Sequence, residues 1–168
     1  MATEKCRVDD RGNTFYYLGR TWHRETAPAV IYANGNCEWW LHGKKHRIDG
    51  PAIEYEAVTK EWWVNGKRHR EDGPAIIWGD GTAKWYVNNK LHREDGPAII
   101  YANGSKFWFI NGKQHRADGP AVELYSGQHQ WYHKGNWFKS VSKFCDAARI
   151  KGLDKTLFLL KWGQCDNE

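Results

Sequence analysis

The chain has 168 residues, a formal charge of +5 and 40% hydrophobic residues, which fits one domain or one repeat array. No apolar run approaches a membrane span, and the N-terminal MATEKCRVDDRGN lacks the apolar stretch of a secretory signal, so no membrane association is expected. The four cysteines (Cys6, Cys37, Cys145, Cys165) form no CxxC pair and have no histidine at finger spacing. They predict free thiols in a reducing compartment, with a cytoplasmic location and no metal or cofactor.

Residues 1–15 read as a leading segment whose charges cancel, Lys5, Arg7 and Arg11 against Glu4, Asp9 and Asp10. From Tyr16 the text falls into rows of 23 residues, opening at Tyr16, Trp39, Trp62, Trp85 and Trp108, with a partial row from Trp131. Seven of the eleven tryptophans (Trp39, Trp40, Trp62, Trp63, Trp85, Trp108 and Trp131) stand in the aromatic doublets that open the rows. Repeats of this length bury their apolar groups against neighbouring repeats, so an array is expected over residues 16–137.

Within each row, aromatic and β-branched runs such as Trp85-Tyr86-Val87 and Ala98-Ile99-Ile100-Tyr101 predict short strands. Asn65-Gly66, Asn88-Asn89 and Asn111-Gly112 predict tight hairpin turns, and Gly79 to Thr82 or Ala102 to Ser105 a second turn closing the row. Pro28, Pro51, Pro74, Pro97 and Pro120 precede the second strand, where an extended entry costs no interior ladder bond. The fold class is therefore all-β: a single twisted antiparallel meander of 23-residue β-hairpin repeats.

The spacing Trp40-x-x-Gly43-x-x-His46, repeated from Trp63 and from Phe109, resembles the MORN repeat, and covers Tyr16 to Trp131. Where MORN repeats carry His-Gly-x-Gly, these rows carry His-Arg-x-Asp-Gly-Pro-Ala. That variant text resembles tandem-repeat proteins often encoded by bacteriophages and, more loosely, antitoxin-like MORN variants. The resemblance implies two-stranded units in one sheet, and a phage-type protein that binds and inhibits a host protein, in the host cell cytoplasm.

Neighbouring strand residues point to opposite faces, so each aromatic doublet puts one ring on each side of the sheet. Burying one ring removes on the order of 200 Å² from water, worth roughly 5 kcal/mol at about 25 cal/mol/Å². The face on which rings meet Ile53, Ile76, Ile99, Tyr55, Trp78 and Tyr101 is read as the structural ladder. The other ring row is expected to be an exposed apolar stripe for a partner. Candidate binding residues are the rings Trp40, Trp63, Tyr86 and Phe109 and the arginines Arg47, Arg70, Arg93 and Arg116.

The His-Arg-x-Asp text recurs almost unchanged, whereas catalysis needs one asymmetric constellation. Equivalent histidines two strands apart stand about 10 Å from one another and do not converge on one ion. No catalytic residue and no metal site is expected; Asp49, Asp72, Asp95 and Asp118 are read as making the Asx-type turn before Gly-Pro and pairing with the arginine of their own or a neighbouring rung. Residues 133–168 carry seven Lys or Arg against four Asp or Glu, a balance of +3, which leaves the array only +2 of the +5. That argues against a nucleic-acid track. A small nucleotide stacked on a ring and forked by an arginine stays open.

In the tail, residues 138–168, Val141, Phe144, Cys145 and Ala148 fall at helical spacing, with Ser140 as the start and Gly152 as the end. Leu157 to Trp162 is readable as helix or strand. A cap over the last hairpin is expected, with Lys151 and Lys155 placed to meet an acidic partner. Three non-enzymatic readings follow: a module binding a host protein, a sequestering protein for a small nucleotide, and a self-assembling homo-oligomer.

Overall fold

The computed structural model describes residues 3–56 and 59–163. The chain divides into two compact units, Met1–Lys90 and Leu91–Glu168. Both are built from the same antiparallel meander of very short hairpins, as the 23-residue period requires.

In the first unit the ladder runs Glu4–Val8, Thr14–Leu18, Val30–Ile31, Cys37–Glu38, Ile53–Tyr55, Thr59–Glu61, Ile76–Ile77 and Ala83–Lys84, with Thr21–Trp22 paired beside Thr14–Leu18. In the second it runs Ile99–Ile100, Lys106–Phe107, Val122–Glu123, His129–His133 and Asn136–Phe138. Register follows burial. Ile53 stands opposite both Glu38 and Glu61, and Ile76 opposite both Glu61 and Lys84. The buried column is narrow: Ala29, Val30, Ala52, Ile53, Ala75 and Ile76 in the first unit, and Ala98, Ile99, Ala121 and Val122 in the second. Alanine after proline lets neighbouring rungs approach, and the β-branched residue after it fills the pleat.

One feature differs from the expected simple hairpin. The Asn-Gly turns do not join the aromatic strand to the Ala-Ile strand. They close separate two-stranded hairpins, Trp63–Val64 with Lys67–Arg68 and Phe109–Ile110 with Lys113–Gln114, as His42-Gly43 closes Trp40–Leu41 with Lys44–Lys45. The His-Arg-x-Asp-Gly-Pro text is an irregular leg leading back to the ladder. Both residues of each such turn have positive φ, 51° and 77° at Asn65-Gly66 and 51° and 65° at Asn88-Asn89. That is the conformation matched to strand twist in two-residue hairpins.

The described part of the tail begins with Phe138 as the end of the last strand and then forms two helices. Helix α1 (Val141–Ala147) starts at Ser140, whose side chain accepts from the backbone N–H of Lys143. Val141, Phe144 and Cys145 are fully buried with Trp131, and Phe138, Phe158, Leu159 and Trp162 pack around them. Helix α2 (Gly152–Trp162) settles the segment left between helix and strand. Gly152, expected to end the first helix, instead opens the second at φ 59°, while Arg149 at φ 60° follows α1. No helix among the described residues is long and apolar enough to cross a membrane.

Candidate binding surface

The His-Arg-x-Asp-Gly-Pro leg is a single interlocked motif. Arg47 Nε donates to Asp49 Oδ1 at 3.0 Å, and Arg47 Nη1 donates to the Pro51 carbonyl at 3.2 Å and to Glu54 at 2.9 Å. Arg70, Arg93 and Arg116 make the same bonds to Asp72, Asp95 and Asp118 at 2.8 Å, and to the carbonyls of Pro74, Pro97 and Pro120 at 3.3–3.4 Å. The guanidinium also lies flat on the first ring of the doublet: Arg47 over Trp39 at 4.1 Å, Arg70 over Trp62 at 4.0 Å, Arg116 over Trp108 at 4.1 Å. The other side of each guanidinium covers the glycine of the leg. A Cβ at Gly50 would stand 2.8 Å from Arg47 Cζ, and one at Gly73 3.0 Å from Arg70 Cζ. Glycine is therefore required by the arginine rather than by φ. The arginine's hydrogen bond and charge hold Asp49, Asp72 and Asp95 below the ordinary carboxylate value.

The histidines are staples between repeats. The backbone N–H of the first turn residue in the next row donates to each Nδ1: His42 to His23, Asn65 to His46, Asn88 to His69, Asn111 to His92, Lys134 to His115, at 3.1–3.3 Å. This bond fixes the neutral ring with its proton on Nε2. It also satisfies a turn N–H that the two-residue hairpin leaves free. The pattern-breaking His42 and Lys134 thus occupy the turn position that Asn holds elsewhere, at φ 49° and 53°. Burial, with Lys134 nearby, pushes the His115 value down; burial lowers His133 too, reinforced by His115 and Lys134.

The second ring row is not the open apolar stripe that one ring per face predicts. Trp40, Trp63, Tyr86 and Phe109 are half-buried. In the first unit, Lys45 Nζ sits 5.3 Å from Trp40 and 5.4 Å from Trp63, and Arg68 Cζ sits 4.7 Å from Trp63 and 5.8 Å from Tyr86. Cations alternate with rings, so the ring faces are covered. The ring edges are held as well: Trp40 Nε1 donates to Glu38 at 2.8 Å and Trp63 Nε1 to Glu61 at 2.9 Å. Glu38 is buried, and also accepts from the hydroxyls of Tyr55 at 2.7 Å and Tyr32 at 3.2 Å. Burial, the bond to Glu38 and its charge push the Tyr55 hydroxyl far above its ordinary value. The Glu38–Tyr55 network escaped the sequence reading; its only trace is the glutamate two residues before Trp40 and Trp63.

The first ring row is equally engaged, under its arginines. Both ring rows and all four candidate arginines are thus parts of the frame, and the structure does not gather them into one pocket. First-row rings and arginines, but none of the second-row rings, border shallow grooves between successive legs. One of about 620 Å³ is lined by Arg24, Trp39, Leu41, His46, Arg47 and Ile48. Another, of about 710 Å³, is lined by Arg93, Trp108, Ile110, His115, Arg116 and Asp118. Among the described residues, no three His, Cys, Asp or Glu stand close enough to hold a metal ion. Cys6, Cys37 and Cys145 are free thiols, and Cys165 lies outside the described residues.

The surface differs between rows at the position after the arginine, occupied by Glu25, Ile48, Glu71, Glu94 and Ala117. All five are exposed, Ile48 at 83%. It differs most in the tail, where Leu153, Leu157 and Leu160 of α2 are 73%, 55% and 74% exposed. Their spacing of four and three fits one helical face, which could not be read from the sequence while helix and strand were both open. No protein-family model matches the chain, and no curated protein is significantly similar to it.

Proposed function

We propose that the chain is a non-catalytic repeat scaffold that binds a protein target and blocks it. The observation that carries this reading is the internal commitment of the polar side chains that recur. Arg47, Arg70, Arg93 and Arg116 are each bonded to their own aspartate and proline carbonyl, and each repeat histidine accepts a backbone N–H. Groups held this way are costly to redirect toward a substrate, because leaving a turn N–H or a stacked guanidinium unpaired costs about 1–3 kcal/mol. The exposed position after the arginine varies from row to row on a recurring frame, as in recognition surfaces. That the target is a host protein and the chain a phage product rests on the resemblance of the His-Arg-x-Asp-Gly-Pro-Ala text alone.

The grooves support a second reading, sequestration of a small nucleotide against Trp39 or Trp108 and the flanking arginines. Native mass spectrometry of the tagged protein, recovered gently from a bacterial lysate, separates the readings. A stoichiometric bound protein supports the scaffold. A few hundred extra daltons per chain would move the function to ligand sequestration, and bare oligomers to self-assembly. A folded Arg70→Ala variant that loses a small-molecule adduct would strengthen the second reading at the expense of the first.

A further inference from the structure

Resting on the protein-binding reading, we propose that two of the grooves between successive legs are docking slots for an extended, uncharged segment of the partner. In each, an apolar side chain rests against Trp39 or Trp108, and a backbone carbonyl accepts from the imidazole of His46 or His115. One slot lies in each unit. Their floors are alike, Trp39 with Leu41 in the first and Trp108 with Ile110 in the second. The histidine on each wall supplies the polar group. Nδ1 of His46 and of His115 accepts a turn N–H, which leaves the proton on Nε2 as a donor. In the three other full rows that nitrogen faces a carboxylate: Glu25 at 4.0 Å from His23, Glu71 at 3.5 Å from His69 and Glu94 at 3.7 Å from His92. In the rows of His46 and His115 the glutamate gives way to Ile48 and Ala117, whose side chains accept nothing. Both are exposed, Ile48 at 83%, and both line the slot together with their histidine. The slots thus occur where the imidazole donor lacks its carboxylate.

Three features select the occupant. An apolar floor beside a single donor calls for an apolar group next to an acceptor, which an aliphatic side chain and a peptide carbonyl supply together. Neither slot has cations to spare for a phosphate. Arg24 and Arg47 in the first are balanced by Glu25 and Asp49. Arg93 and Arg116 in the second meet Glu94, Asp95 and Asp118. An anion would face these carboxylates, which like-charge repulsion penalises. The slots are also shallow, whereas sites for small molecules enclose most of their ligand. An extended segment needs no enclosure, because it enters at one end and leaves at the other.

The test uses the full chain with nitrogen-labelled histidines and follows their NMR signals. The probes are acetyl-Gly-Leu-Gly-amide, acetyl-Gly-Glu-Gly-amide and adenosine monophosphate. The leucine peptide should shift Nε2 of His46 and His115 saturably and leave His69 and His92 in place, and the two anionic probes should shift none of them. Ile48→Glu and Ala117→Glu introduce the residue that other rows carry. Each should weaken binding at its own histidine by about tenfold and leave the other histidine's response unchanged. Ile48→Gln, an uncharged acceptor, should weaken it as well with an unchanged circular dichroism spectrum, which separates competition for the donor from unfolding. Equal shifts at His69 and His92, or shifts at His46 indifferent to Ile48→Glu, overturn the proposal. So does a response to adenosine monophosphate in place of the leucine peptide, which gives the slots to a nucleotide. A wild-type dimer that Ile48→Glu renders monomeric overturns it in favour of a second copy. A target retained from lysate by both wild type and the variant carrying Ile48→Glu and Ala117→Glu ends this proposal but leaves the scaffold reading standing. A target retained by neither, while the leucine peptide binds, does the reverse.

Discussion

The repeats and the C-terminal cap solve burial in opposite ways. In the repeats the buried column is made of alanine, isoleucine and valine, and the large polar side chains around it have partners: Trp63 bonds Glu61, Arg70 bonds Asp72, His69 accepts from Asn88. In the cap the core is aromatic, with ring contacts of 5.1–5.9 Å between Trp131 and each of Phe144, Phe158 and Trp162. There Trp131 Nε1, His133 Nδ1 and Trp162 Nε1 are buried without a hydrogen-bond partner among the described residues. The repeat is a frame specified by directional bonds. The cap is held by packing, and its outward leucines remain available. Polar networks specify one arrangement, whereas apolar cores tolerate more than one.

If packing holds the cap, the largest effect should come from its centre. Phe144→Ala is expected to cost about 3–5 kcal/mol in urea denaturation. A loss below about 1 kcal/mol would mean that the cap contributes little to the fold. If the arginine leg holds the repeat, Gly73→Ala should cost about 1–3 kcal/mol by driving a methyl into the guanidinium. Gly81→Ala, which meets nothing within 4 Å but sits at φ 88°, should cost only the backbone strain of about 1–2 kcal/mol. A reversal of that order in thermal melts would show that the glycine serves the turn and not the arginine.

The indole partners offer a direct contrast. Trp63→Phe removes the indole N–H that Glu61 accepts, leaving that carboxylate to Arg68, and should destabilise by about 1–3 kcal/mol. Trp162→Phe deletes an N–H that has no partner among the described residues, and is expected to change stability by less than about 1 kcal/mol. Comparable losses at both sites would erase the distinction between frame and cap.

Acid should act on the histidines first. His115 and His133 are held below the ordinary 6.5 in the folded chain, so the unfolded chain binds their protons more readily. Their contribution is complete above pH 6.5 and declines as the pH falls below it toward the folded values. The melting temperature should therefore drop between pH 7 and 5. The Asp49, Asp72 and Asp95 contributions, depressed below 3.8, are lost only in stronger acid. A melting temperature flat from pH 7 to 5 would contradict the histidine assignment. The smallest effect is expected at Lys134, which holds φ 53° where other rows have Asn. Lys134→Asn should stabilise by roughly 0.5–1 kcal/mol. It should also raise the His115 titration point in an NMR pH series, by removing the nearby cation.

Much of this molecule was legible in one dimension. The 23-residue period, the Asn-Gly turns, the proline before each buried strand and the Asp partner of each arginine follow from local rules, because neighbours in a repeat array are also near in sequence. Ser140 with Val141, Phe144 and Cys145 announced α1 in the same way. The tertiary structure alone decided where the ring faces go. Whether Trp40 and Trp63 stand open or sandwich Lys45 depends on contacts across a whole repeat, which alternation along a strand does not encode. It alone decided that the histidine staples a turn 19 residues ahead, as His46 does Asn65. And it alone turned Leu153, Leu157 and Leu160 outward, since a short apolar run has no inside until something packs against one of its faces.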